Sequence, residues 1–258
     1  MTTTDPNAEN AQLREELGQL REELQRSREN QTIFWRAVTH ELRTPMQALM
    51  GYAALVDPGT PFGKLQEYLT IIRQETDRLA RVVDELHQQV ELDSGQMIIR
   101  SAAIALADIV ETVASDCEAW ASDRAVLTNI ASGVPLVAAD SVRVRHILDC
   151  LLRNAVRYSP AETPIHVSIS IQPGGRFVLV SVKDKGSGIP DEFKAAIFER
   201  LVRVTRGGGK AKWGLGLGLY VSREIARRMG GDVQLIESGP QGSTFCLTLP
   251  VAAEAGSA

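Results

Sequence analysis

Eight positions between residues 65 and 90 constrain this chain more than any other feature. Leu65, Leu69, Ile72, Thr76, Leu79, Val83, Leu86 and Val90 recur at steps of four and three, the rhythm that lines side chains into one seam along an α-helix. A strand cannot use that spacing, because its faces alternate every second residue. Upstream, Leu13, Leu17, Leu20 and Leu24 repeat the rhythm with Glu and Arg between them. They predict a parallel coiled coil over 11–33, after a polar, disordered start at 1–10. Carried on through Ser27 and Gln31, the register reaches Phe34 and Val38 and leaves His40 off the seam, facing solvent.

The first helix is expected to end near Val56, because Asp57-Pro58-Gly59-Thr60-Pro61 is dense in turn residues. Two antiparallel helices with such seams cannot bury both apolar faces alone. The hairpin over 34–93 is therefore predicted to pair with a second copy as a four-helix bundle, making a homodimer. Asp93-Ser94-Gly95 breaks the second helix and opens a hinge over 94–101.

Beyond the hinge the pattern changes. Helices are predicted from Ala107 to about Ser122, from about Ser141 to Tyr158 and from about Leu217 to Met229. Val126–Ile130 is a short apolar run, the alternating runs at Ile165–Ile171 and Arg176–Lys183 read as strands, and the strands Asp232–Glu237 and Thr244–Leu249 close the domain. The mixture defines an α+β chain whose second domain, 102–251, is a two-layer α/β sandwich, followed by a frayed tail at 252–258.

Composition narrows the function. A formal charge of −4 lacks the basic excess that nucleic-acid binding needs. No apolar run approaches the ~18 residues of a membrane span, and the polar start is no signal peptide. Cys117, Cys150 and Cys246 are odd in number and without metal-ligand spacing, which fits a reduced, cytoplasmic setting.

The chemistry begins at Phe34-Trp-Arg-Ala-Val-Thr-His-Glu-Leu-Arg-Thr-Pro-Met46. Pro45 removes a backbone donor and crowds the Glu41 carbonyl, at a cost of roughly 3 kcal/mol inside a helix. His40 offers a nitrogen lone pair near neutral pH, and Glu41 beside it can orient the ring and accept a proton. This segment resembles the phospho-acceptor box of sensor histidine kinases, His-Glu-Leu-Arg-Thr-Pro with a Phe six residues before the His. The resemblance implies that His40 accepts the γ-phosphoryl group of ATP, that Glu41 assists as base, and that Thr44 supports the reverse, phosphatase reaction.

Four further boxes resemble the ATP-binding domain shared by histidine kinases and the gyrase, heat-shock-90 and MutL-type ATPases. In Leu148-Asp-Cys-Leu-Leu-Arg-Asn-Ala-Val-Arg-Tyr158, Asn154 matches the asparagine that ligates Mg²⁺, a hard cation suited to an amide oxygen. Arg157 and Tyr158 follow it in the ATP-binding set. Cys150 stands where the family usually has a second asparagine, and a neutral thiol is a poor Mg²⁺ ligand. In Asp184-Lys-Gly-Ser-Gly-Ile-Pro190, Asp184 matches the residue that accepts the adenine amino group, with Gly186, Gly188 and Ile189 beside it. Phe198 fits the first aromatic of the third box, Leu201 replaces the second, and Arg203 matches a basic residue facing the phosphates. In Trp213-Gly-Leu-Gly-Leu-Gly-Leu219, Gly214, Gly216 and Gly218, with Leu215, Leu217 and Leu219, open a helix whose N-terminus favours phosphate. Lys210 and Lys212 belong to a glycine-rich cationic lid, and Thr244 lies in the closing Gly242-Ser-Thr-Phe245.

The resemblance implies ATP and Mg²⁺ as cofactors and a response-regulator receiver domain as partner, with no nucleic acid and no membrane segment in this chain. The expected function is ATP-dependent phosphorylation of His40 followed by transfer to a receiver aspartate. Two other readings exist: a non-catalytic or phosphatase-biased scaffold, to which Cys150 and Leu201 point, and a stand-alone ATPase, which would leave His40 without a role.

Overall fold

Helix α1 runs unbroken from Pro6 to Ala54 in the computed structural model, which describes residues 6–204 and 214–253. Its first described residues, from Pro6, are helical although they fall within the stretch expected to be disordered. Pro45 lies inside it without ending it. Its turn is supported locally, since the Thr44 hydroxyl donates to the His40 carbonyl at 3.2 Å. Past Ala54, Asp57 Oδ1 accepts from the Gly59 N–H at 2.7 Å and closes the predicted turn. Helix α2 then spans Phe62–Asp93. It stops at Gly95, whose φ of +69° suits glycine.

The chain divides into two compact units, residues 1–82 and 83–258. The division falls within α2 rather than at the expected hinge. Within the second unit, Arg228 donates to the carbonyls of Leu92 and Met97 at 3.1 and 3.5 Å, and Arg200 is bidentate on Asp93. The segment expected as a free hinge is tied down at its start by these bonds.

In the first unit, Val38 and Val82 are buried, whereas Leu17, Leu20 and Leu24 remain more than half exposed. That is the state of a seam with no partner inside its own chain.

The second unit is a five-stranded sheet with helices against it. Strand β1 (Ala102–Ile104) pairs antiparallel with β3 (Val137–Ala139), and this small sheet has no counterpart in the sequence expectations. Three residues are too few to show a period. The main sheet has the order β2 (Val126–Ile130), β4 (Ile165–Ile171), β5 (Phe177–Lys183), β7 (Gly242–Pro250), β6 (Asp232–Gly239). The β2–β4 pair is parallel and the others antiparallel. Helices α3 (Leu106–Trp120), α4 (Ser141–Tyr158) and α5 (Gly218–Arg228) pack beside one another and against the sheet.

Helix α4 positions most of the site. Asp140 caps it: Oδ1 accepts from the N–H groups of Val142 and Arg143 at 3.0 and 3.2 Å, and Oδ2 from Arg100 N–H. At its far end the Arg124 guanidinium donates to the carbonyls of Val156, Ser159 and Pro160. Val144, Ile147, Leu148, Leu151, Leu152 and Ala155 form the buried stripe, and the opposite face is left for function. Leu151→Ala removes a side chain with no exposed surface and is expected to destabilise this unit by about 2–5 kcal/mol, read as a lower urea midpoint with an unchanged slope.

Candidate phospho-acceptor and nucleotide sites

In the first unit, two adjacent residues of α1 face opposite environments. The His40 side chain is 78% exposed and that of Glu41 only 4%. Glu41 Oε2 receives the Arg78 guanidinium of α2 at 3.1 Å, while Oε1 stands 3.9 Å from His40 Nδ1. A carboxylate held at one oxygen leaves the other on the Nδ1 side of the exposed imidazole. Around His40, Thr32, Trp35, Arg36, Thr39 and Arg43 line a shallow open hollow, which places two guanidinium-bearing residues beside the ring. Arg78 carries the Glu41 pair and was not among the expected residues. No sequence signal pointed to it, since the contact spans 37 residues of sequence.

The nucleotide boxes converge in the second unit. Asn154, half-buried on α4, points Nδ2 at Cys150 Sγ at 3.9 Å, and its Oδ1 forms no hydrogen bond among the described residues. Burial pushes the Cys150 thiol up to about 12. It therefore stays neutral and cannot act as the hard ligand that Mg²⁺ prefers. A Cβ on Gly218 would lie 2.8 Å from Cys150 Sγ, so the first residue of α5 rests directly on the thiol. The Arg157 guanidinium similarly lies 3.2 Å from the place of a Cβ on Gly214.

Loop residues complete the arc. Asp184 is 5% exposed, and its Oδ1 accepts from the N–H groups of Gly186 and Ser243 at 2.6 and 3.2 Å. Burial raises the carboxyl above its ordinary range, partly offset by those two bonds. The Ile189 N–H is accepted by Ser238 Oγ, and the Lys185 N–H by Ser159 Oγ. A Cβ on Gly186 would sit 2.9 Å from the Tyr158 carbonyl oxygen, joining this loop to the end of α4. Leu201 takes a left-handed φ of +64° and donates its N–H to the Gly216 carbonyl. The Arg203 side chain lies beside Gly216. Phe198 meets Phe245 edge-on at 6.3 Å, so this box serves packing.

Thr244 is half-buried on β7, opposite Lys183 of β5. Leu215 and Leu217 have core side chains and can offer a ligand only their backbone, while Leu219 is half-buried. Lys210 and Lys212 lie outside the described residues. Ser159 and Ser238 hold the loop together with Ser243 of the closing Gly242-Ser-Thr-Phe245; the first two stand outside every quoted box and carried no sequence signal. Among the described residues no cluster of His, Cys, Asp or Glu could hold a metal. The donor chemistry fits a cation bound through one amide oxygen and the phosphates of a nucleotide.

The first unit presents an exposed histidine on a helical hairpin, and the second gathers the Asn154, Asp184 and glycine-rich boxes on an α/β sandwich. Comparison with known proteins also gives two parts, with the first reaching to residue 95. Residues 30–95 match the family model of the His Kinase A (phospho-acceptor) domain, and residues 139–253 that of the histidine kinase-, DNA gyrase B-, and HSP90-like ATPase. The chain therefore carries a His Kinase A phospho-acceptor domain and a histidine kinase-, DNA gyrase B-, and HSP90-like ATPase domain, and is similar to sensor histidine kinases. Among its relatives are the sensor histidine kinase WalK of Bacillus subtilis, 28% identical over 216 residues, and the sensor protein kinase WalK of Staphylococcus aureus, 27% identical over 215. These alignments cover 83% of this chain but 35% and 52% of the relatives, so the chain spans about a third to a half of their length. Likeness of fold extends to full-length ShkA in complex with AMPPNP (TM-score 0.61, 24% identity, 84% of this chain and 46% of that one). It extends equally to the histidine kinase AdeS of Acinetobacter baumannii (0.61, 22%, 83% and 98%). Among the described residues no helix is long and apolar enough to cross a membrane.

Arg78→Ala takes the guanidinium from a carboxylate that is 4% exposed. It is expected to destabilise the helical hairpin by about 3–5 kcal/mol, seen as an earlier melt of the helical circular-dichroism signal. Replacing Glu41 by Leu in the same chain should recover much of the loss.

Proposed function

We propose that this chain is a protein histidine kinase core that transfers the γ-phosphoryl group of ATP to His40 and then to an aspartate of a response-regulator receiver domain. The juxtaposition of an exposed imidazole with a buried carboxylate carries the reading. The lone pair of His40 Nε2 forms the new bond to the γ-phosphorus as the bond to the ADP oxygen breaks, and ADP leaves with that electron pair. Glu41 Oε1 orients the ring and takes the Nδ1 proton, which keeps the phosphorylated imidazole neutral. Arg36 and Arg43 lend positive charge where the phosphoryl group arrives.

In the second unit, Asp184 accepts the adenine amino group through the oxygen not used by Gly186 and Ser243. Gly214, Gly216 and Gly218 offer backbone N–H groups at the start of α5, and Arg157 and Arg203 face the phosphates. Asn154 Oδ1 would hold Mg²⁺, whose charge, when bound, offsets that developing on the β- and γ-oxygens. His40 and the nucleotide residues belong to different units, so the phosphoryl group must pass from one unit to the other. The unpartnered seam of α1 supports a homodimer through the hairpin, and Thr44 is assigned the reverse, dephosphorylating reaction. The neutral Cys150 thiol favours a second reading, a phosphatase-biased or non-catalytic scaffold, which would show no affinity for ATP with Mg²⁺ in a titration.

Incubation with γ-labelled ATP and Mg²⁺ is expected to give acid-labile label on the wild type and none on His40→Gln. Asn154→Ala should reduce labelling to background. Label persisting on His40→Gln would overturn the assignment. Nucleotide affinity should also depend on pH through Asp184. Above its pKa the carboxylate accepts the adenine amine, and below it the added proton removes that acceptor. Because burial raises this pKa, affinity should begin to fall at a higher pH than an ordinary aspartate, titrating near ~3.9, would give. The difference between wild-type and Asp184→Asn binding profiles isolates that contribution.

A further inference from the structure

We propose that Ser238 is a positioning residue for adenine recognition, acting through the backbone of the loop that carries Asp184. The inference rests on the reading of Asp184 as the adenine acceptor. Ser238 sits at the end of β6, opposite Ser243 of β7, and the two hydroxyl oxygens are 2.9 Å apart. Its Oγ accepts the Ile189 N–H at 2.8 Å. Ser243, 5% exposed, donates its N–H to Asp184 Oδ1, and its carbonyl accepts the Asp184 N–H at 2.9 Å. The Ser243 backbone holds the Asp184 end of the loop and the Ser238 hydroxyl holds the Ile189 end, so both ends are tied to a single hairpin.

Sterics make this link selective. A Cβ on Gly188 would lie 2.0 Å from the Gly239 carbonyl oxygen, and one on Gly242 would lie 2.0 Å from that of Asp184. Loop and hairpin thus meet backbone to backbone, with no side chain between them to take up slack. Near Ile189, the Ser238 hydroxyl is the side-chain bond, among the described residues, that sets how far the loop stands from Asp184. An adenine amine must meet Asp184 while the ring edge meets the loop backbone. A loosened Ile189 end changes that spacing and leaves the carboxylate in place, held by Gly186 and Ser243.

The test is calorimetric titration of the whole chain with ATP and with GTP, each with Mg²⁺, for the wild type, Ser238→Ala and Ser238→Thr. Ser238→Ala is expected to weaken ATP about tenfold and leave GTP unchanged, so the ATP-to-GTP preference falls about tenfold, while Ser238→Thr, which keeps the hydroxyl, restores it. A structural role alone would lower the folded fraction and scale both affinities together, leaving the ratio intact. Should Ser238→Ala fail to fold, Ser238→Cys keeps the shape with a weak acceptor and must shift the ratio the same way. An unchanged ratio in the variant that folds overturns the proposal. A wild type that binds ATP no better than GTP overturns the reading of Asp184 itself, and the proposal with it.

Discussion

The second unit depends on a carboxylate buried where few donors can reach it. Asp184 leaves the end of β5 and turns into a loop, and at 5% exposure it would be costly without hydrogen bonds. Two backbone N–H groups supply them, one from its own loop and one from β7. The second is available only because β5 and β7 pair in the register that sets Lys183 against Thr244. A slip of one residue would turn Ser243 to the other face of the sheet. The position of the carboxylate is thereby set by the whole antiparallel ladder, from Phe177 opposite Pro250 down to Lys183 opposite Thr244.

The first unit solves the reverse problem. Under the proposed chemistry it carries a nucleophile that another unit must reach, which requires the imidazole to stay in water. A base that must keep one orientation is better held inside. Placing the two in adjacent positions meets both needs, since neighbouring residues on a helix point about 100° apart. The helix also withstands Pro45, which denies the Glu41 carbonyl its usual N–H partner. The Thr44 hydroxyl, bonded to the His40 carbonyl, supports the same turn.

Periodicity made most of the fold legible. Helix α4 and strand β4 appear with the expected bounds, because each combines a clear apolar rhythm with a turn or cap at its ends, and the short apolar run Val126–Ile130 is strand β2. What escaped were β1 and β3, too short to show a rhythm, and the helical state of the residues after Pro6. The cut within α2 was also hidden, because one continuous seam serves two sets of neighbours. At the sites, glycines and charged residues announced themselves by type and spacing. Arg78 and Ser238 did not, since their roles arise from tertiary neighbours 37 and 49 residues away.

Cys150 shows how far a departure in residue type can be absorbed by geometry. Its thiol, neutral at any physiological pH, brings neither charge nor a hard ligand to the phosphate side of the cleft. What it brings is bulk: Sγ fills the space beneath Gly218, where a Cβ would collide with it, and takes the Asn154 amide N–H on its other side. The same contact that seats the first turn of α5 thus bears on the rotation of the Asn154 amide. Under the proposed chemistry a metal would find one amide oxygen rather than two, and its remaining ligands would come from water and phosphate. That arrangement suits Mg²⁺, which gives up its water reluctantly. The substitution therefore acts on how firmly the nucleotide is held, while the route of the phosphoryl group, set by His40 and Glu41 in the other unit, is left as it was.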